Sequence, residues 1–219
     1  MKSIVRNVHK YLSFSISLQL LLWTVSGIYF AFNKIEMVRG EQYILSHSYA
    51  VDLSQINLNI AEAENVRLSK RLNEKIIIIT KDIGNEYLDI KGNSLDKLST
   101  DAALKIVGNK TTLKPLNVEE IKIEKNGSEY RGRPLPLYKV TSKNKANEKI
   151  NVYLNVFSGE ILAIRSAQWR VWDLMWGFHI IDWQERDNIN NFLLKMFSIL
   201  ALISSLTGLL LFFKVDIKK

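Results

Sequence analysis

Few residues in this chain can carry chemistry, and they are concentrated near its C-terminal end. The 219 residues include no cysteine, so disulfides, iron–sulfur clusters and thiolate metal sites are excluded. No nucleophile elbow, Walker loop, dinucleotide glycine fingerprint or His-Glu-x-x-His zinc motif is present, and no catalytic or metal-binding set is expected. The histidines are His9, His47 and His179. His179 lies in QWRVWDLMWGFHIIDWQERDNINN (168–191) with Trp169, Trp172, Trp176 and Trp183, four of the five tryptophans. Trp172, Trp176, His179 and Trp183 recur at helical spacing and share one face. Two chemistries suit that face. Tryptophan prefers the membrane–water interface, so the four can anchor an interfacial helix, with His179 hydrogen-bonded to Asp182 or Asp173. A neutral imidazole can also ligate haem iron, with Met175 one turn earlier or His47 as the second donor.

Two apolar runs position these residues. Tyr11 to Asn33 and Met196 to Phe213 are long, free of charged residues, and set at opposite ends of the chain. A helix rises about 1.5 Å per residue and the hydrocarbon core is ~30 Å thick, so roughly 20 residues span it. Neither run has a polar face at helical spacing, which a surface helix of a soluble domain should show. The first is too long for a signal-peptide core and no A-x-A site follows Ala31, so it reads as an uncleaved anchor. Both runs hold a small-residue step, Ser26–Gly27 and Thr207–Gly208, expected to pack the two helices against each other or against a partner's helices.

The net charge is +8. Residues 34–191 hold 23 basic and 21 acidic side chains, so most of the excess lies in the tails and Lys195. That placement speaks for a membrane topology rather than nucleic-acid binding. Lys2, Arg6 and Lys10 precede the first run and Lys214, Lys218 and Lys219 follow the second. Basic flanks mark the cytoplasmic side, so both termini are expected inside and the middle outside, in the periplasm of a Gram-negative cell. His9 and His179 then stand a bilayer apart and cannot clamp one haem. His47 is on the same side as His179.

The middle reads as a repeat. EYLDIKG (86–92) and VYLNVFSG (152–159) are alternating strands that end in a glycine turn. KIIIIT (75–80) and PLYKVTS (136–142) precede them, and VRLSKRL (66–72) and VEEIKIEK (118–125) come before those. Helical patterns open each set, at Asp52 to Ala63 and Ser99 to Val107, the second with Ser99 or Thr100 as N-cap and Gly108 as its close. The order is helix then three strands, twice, an α+β architecture of antiparallel sheets with one solvated face. Within the second set YRGRPLP (130–136) sets two arginines beside two prolines. It reads as a loop leading into the next strand, or as an anion- or partner-binding loop, since guanidinium forks suit carboxylates and phosphates.

The second set resembles a PepSY domain. The resemblance rests on DAALKIVG (101–108), PLYKV (136–140) and VYLNVFSGEIL (152–162). The flanks are similar to those of PepSY-associated membrane proteins: Arg6, His9 and Lys10 lead into a span with Ser26–Gly27, and a Trp/His stretch leads into one with Thr207–Gly208. The resemblance implies two transmembrane helices flanking a periplasmic domain of two PepSY-like repeats. The expected layout is a cytoplasmic tail (1–10), first span (11–33), degenerate repeat (34–96), PepSY domain (97–167), interfacial helix (168–191), second span (192–213) and tail (214–219). It further implies an inner-membrane, non-enzymatic accessory subunit linked to iron–siderophore or redox handling, partnered by lipid and by a membrane or periplasmic protein or a second copy. Larger relatives carry four spans and some bind haem b, so a haem-b electron-transfer or ferric-siderophore reductase component is the rival expectation. Regulation of a periplasmic protease is a third.

Overall fold

The computed structural model describes residues 2–46 and 62–216. His47, and the expected helix from Asp52 over 52–61, lie outside the described residues. The fold is α+β with two small antiparallel sheets and two apolar helices long enough to cross a membrane. The chain divides into two units, Met1–Ile35 with Arg170–Lys219, and Glu36–Trp169.

The first unit is helical. α1 (Lys2–Phe32) begins nine residues before the apolar run, so the expected N-terminal tail is part of the helix. After it, α2 (Ile35–Arg39) carries the chain across the boundary into the second unit. α4 (Ala167–Ile180) carries the Trp/His stretch and α5 (Phe192–Asp216) the second apolar run. His9, Ser13, Ile16, Gln19, Trp23, Ser26 and Phe30 recur every three or four residues and form one stripe of α1. Ile16, Gln19 and Ser26 on it are buried. The remaining faces of α1 are apolar and exposed, the reverse of a soluble helix. The stripe meets α5 at its start and α4 at its end. His9 and Ser13 lie against Ser204 and Thr207, whereas Gln19, Trp23 and Ser26 bond to Phe178 and His179. α5 therefore runs antiparallel to α1. Counting back from the Ser13–Ser204 contact at 1.5 Å per residue, α5 starts about level with Val25, so the two apolar helices are staggered.

The second unit holds both sheets. β1 (Asn65–Arg71), β2 (Glu74–Lys81) and β3 (Gly84–Asp89) form the first meander. β4 (Lys114–Ile121), β5 (Leu137–Lys143), β6 (Lys149–Asn155) and β7 (Ile161–Arg165) form the second. The two repeated stretches occupy the third strand of their respective sheets, and each closes on the same device. Asp89 Oδ1 accepts from the amides of Lys91 and Asn93, and Asn155 Oδ1 from those of Phe157 and Ser158. The glycines that follow, Gly92 and Gly159, take φ of 88° and 65°, where a side chain is strained.

α3 (Thr100–Lys110) covers the second sheet. Ser99 is its N-cap, accepting from the Ala102 amide. The helix passes through Gly108 rather than closing there. Thr111 ends it, with its amide and hydroxyl both donating to Val107 O. Ala103, Ile106 and Val107 pack on Val140, Val152, Leu154 and Ile164. The expected solvated face persists on β4 and β5, where Glu119 pairs with Lys139, but Tyr130, Leu137, Tyr153 and Ala163 build a second cluster, so β6 is buried on both sides. In the first sheet, Ile76 to Ile79 of β2 are likewise buried on alternate faces. β4 lies four residues earlier than the alternating pattern places it, and a bulge between Pro115 and Asn117 breaks its alternation by one residue.

Candidate functional site

Within the helical unit, the candidate residues gather where α4 crosses the end of α1. Trp172, Trp176 and His179 stack in succession, at centroid separations of 5.6 and 6.3 Å and interplanar angles of 12° and 9°. Phe30 of α1 contacts all three rings, at 5.1, 6.3 and 5.7 Å. The predicted aromatic face is therefore present up to His179. It does not extend to Trp183, since α4 ends at Ile180 and Ile181 turns with φ 56°. Gly177 permits the chain to fold back on α4: a Cβ there would lie 3.0 Å from both the Arg186 side chain and Asp182 O. Asp182 organises the return. Burial pushes its carboxyl up, but the amides of Asn188, Asp187, Glu185 and Arg186 outweigh this and hold it below the usual range. Asp173, almost wholly buried, pairs with Arg186 at 2.8 Å.

Neither acid reaches His179. Its Nδ1 lies 2.7 Å from Ser26 Oγ, whose own proton points to Trp23 O, so the imidazole donates and the serine accepts. Trp23 Nε1 donates to His179 O at 2.6 Å. Burial lowers the His179 pKa, keeping the ring neutral at pH 7. No described residue bonds to Nε2, leaving its lone pair available as a base or ligand. His9 is held in the same manner: Nδ1 donates to Ser204 O at 3.1 Å, beside Thr207 Oγ1. A Cβ on Gly208 would come within 3.1 Å of its ring. The two small-residue steps thus do not face one another. Each receives a histidine, and Gly27 has open space around it.

The haem donors do not assemble in this unit. Met175 and His179 leave one helix a turn apart and approach from the same side, whereas axial ligands must oppose one another. His9 and Ser26, the contact point of His179, are about 25 Å apart along α1. Among the described residues, no group of three or more His, Asp or Glu could hold a metal ion.

Trp169 belongs to the other unit and is not part of the stack. It is buried, with the Arg165 guanidinium 4.3 Å and that of Arg131 5.7 Å from its ring centroid.

The sheet unit has a site of its own that the sequence did not disclose. A cavity of about 760 Å3 opens between β1 and the α3–β7 side, with Arg67, Ser69, Lys110 and Glu160 as its polar wall and Ile106 and Leu162 as apolar lining. Arg67 grips both Glu160 carboxylate oxygens at 2.8 Å, and Ser69 Oγ donates to one of them. Lys110 Nζ donates to Lys70 O and Gly159 O. Burial lowers its amine pKa and the Glu160 charge opposes that shift. A mixed concavity of this size suits a small ligand or an inserted side chain from a partner. The signal was present in the sequence, since Glu160 follows the Gly159 turn, but its partners lie 91 and 93 residues away.

No protein-family model matches the chain, and comparison with curated proteins and with solved structures finds no match.

Proposed function

We propose that this chain is a two-pass membrane protein whose sheet unit is a non-catalytic binding module, acting as an accessory subunit of a membrane assembly. The observation that carries this reading is the charged cleft of Arg67, Ser69, Lys110 and Glu160 in a protein whose terminal helices are long and apolar enough to anchor it. Every one of those four side chains is held by a hydrogen bond or ion pair, a preorganised wall rather than a catalytic pair. The basic flanks support cytoplasmic termini and a periplasmic sheet unit at the inner membrane. The PepSY resemblance supports an assembly concerned with iron–siderophore or redox cargo.

Site-specific photo-crosslinking in intact cells tests the binding role. A photoreactive residue at Asn73, on the cleft, is expected to yield a discrete adduct that Glu160→Arg abolishes, whereas the same residue at Lys145 yields none. Equal adducts at both positions, or none at either, would refute the cleft as the binding surface. Topology is tested separately. The chain has no native cysteine, so Lys145→Cys alone should react with a membrane-impermeant maleimide added outside the inner membrane. Reaction only after lysis would reverse the orientation.

A further inference from the structure

Two arginines flank one tryptophan at the end of the sheet unit, where the chain leaves along α4. Arg165 is buried, its Nε donating to Glu129 O and its Nη1 to Ile164 O. It lies over Trp169, and Arg131 is within cation–π distance of the same ring. Arg133, exposed, stands two residues after Arg131 on the same loop. Burial above all, and after it the charges of Arg133 and Arg131, push the Arg165 guanidinium down to about 10, against the opposing effect of Glu129. The loop that bears Arg131 and Arg133 is pinned. Arg131 N donates to Ser128 O, Arg133 N to Tyr130 O, and Gly132 N to Glu124 Oε1. Two carboxylates border the arginines: Glu124, on the Gly132 amide, and Glu129, whose charge acts on Arg165 and whose Oε2 accepts from Asn151 Nδ2 at 2.8 Å and from the Tyr153 hydroxyl at 3.0 Å. Ser128 Oγ is buried with no partner among the described residues.

We propose that Arg131 and Arg165, which flank Trp169, together with Arg133 on the loop that bears Arg131, bind the phosphate of an anionic phospholipid headgroup. Guanidinium forks match phosphate oxygens, and two of the three stand on a fixed loop while Arg165 ends β7. A tryptophan flanked by arginines is chemistry suited to the headgroup layer. Covalent continuity selects lipid over a soluble anion: Arg170, the residue after Trp169, already belongs to the helical unit. The inference rests on the membrane reading, while using none of the cleft residues.

The test uses the full-length chain purified in a non-ionic detergent, with unfolding followed on heating. Dihexanoyl phosphatidylglycerol is expected to raise Tm by about 2–4 °C or more over dihexanoyl phosphatidylcholine at equal concentration. Arg131→Gln/Arg133→Gln should lose at least half of that difference. Exposed Arg133→Gln alone, which leaves the Trp169 stacking in place, should lose a measurable part. The tail variant Lys214→Gln/Lys218→Gln should keep it. Equal effects of the two lipids, full retention in both arginine variants, or loss in the tail variant instead would overturn the site. So would inorganic phosphate alone reproducing the shift, which would make it a soluble-anion site. Release of the chain from membranes by alkaline carbonate would overturn the membrane reading itself, a failure distinguishable from loss of lipid selectivity.

Discussion

Replacing Ser26 with alanine removes the oxygen that accepts the His179 Nδ1 proton at 2.7 Å. Nothing else among the described residues is placed to accept it. A buried donor left unmatched costs about 1–3 kcal/mol in a soluble core. Between apolar helices in lipid the measured coupling is smaller, about 0.6 kcal/mol on average and up to ~1.7, because the separated helices find other partners. His179 is half-buried and its ring is fixed by Trp176 and Phe30, so the hydrogen bond carries little ordering cost. A coupling of about 1 kcal/mol is expected on that basis. The assay is a double-mutant cycle of Ser26→Ala and His179→Phe, with unfolding of the detergent-solubilised chain measured for all four proteins. Phenylalanine retains the ring contacts and removes the donor. Ser26→Thr, which keeps a hydroxyl, should remain closer to the parent than Ser26→Ala. A coupling under about 0.3 kcal/mol would falsify the assignment of Ser26 as the partner that positions His179.

Other outcomes follow from the same geometry. Because burial depresses the His179 pKa, the unfolded chain takes up the proton first. Stability should therefore be level above the ordinary histidine value of about 6.5, fall as pH drops below it, and show less fall in His179→Phe, as read by Tm against pH. Gly159→Ala forces a side chain onto φ 65° and drives a Cβ into Ile106 Cδ1. It should cost about 2–4 kcal/mol, measured by chemical denaturation, and an unchanged midpoint would contradict the packing of α3 on this turn. Ser13 and Ser204 hydroxyls lie 2.8 Å apart, so Ser13→Cys/Ser204→Cys should form a disulfide on mild oxidation. Adding Gly208→Leu, which drives bulk into the His9 ring, should reduce its yield. Efficient oxidation regardless of residue 208 would show that the notch does not set the approach of α5.

The terminal apolar helices, the order of six strands and the Ser99 cap were legible because each rests on local pattern: run length, alternation, or one side chain and the amide it meets. The repeat was legible in EYLD and VYLN because Asp89 and Asn155 build their turns from their own neighbours. What was not legible depends on partners distant in sequence. The small-residue steps look alike, but whether Ser26 meets Thr207 or His179 is decided by the stagger of the helices, which no single run contains. β7 was overlooked because five residues are too few to show alternation, and they pair only once β6 is present. The two-sided burial of β6 arises from a cluster that includes Tyr130, outside the sheet. Glu160 and Arg67 each look like ordinary surface charges until the two sheets bring them together.

The polar stripe on α1 has a consequence for biogenesis. In the two-pass reading, this helix enters the bilayer first, and its His9, Ser13, Gln19 and Ser26 acquire partners only after residues 178–207 have been synthesised. At roughly 5–20 residues per second, that leaves about 10–40 s during which an intrinsically sticky helix waits beside the translocation machinery. A chain truncated before α4 would carry that exposed stripe permanently, making it a distinguishing mark by which membrane quality control could separate incomplete products from finished ones.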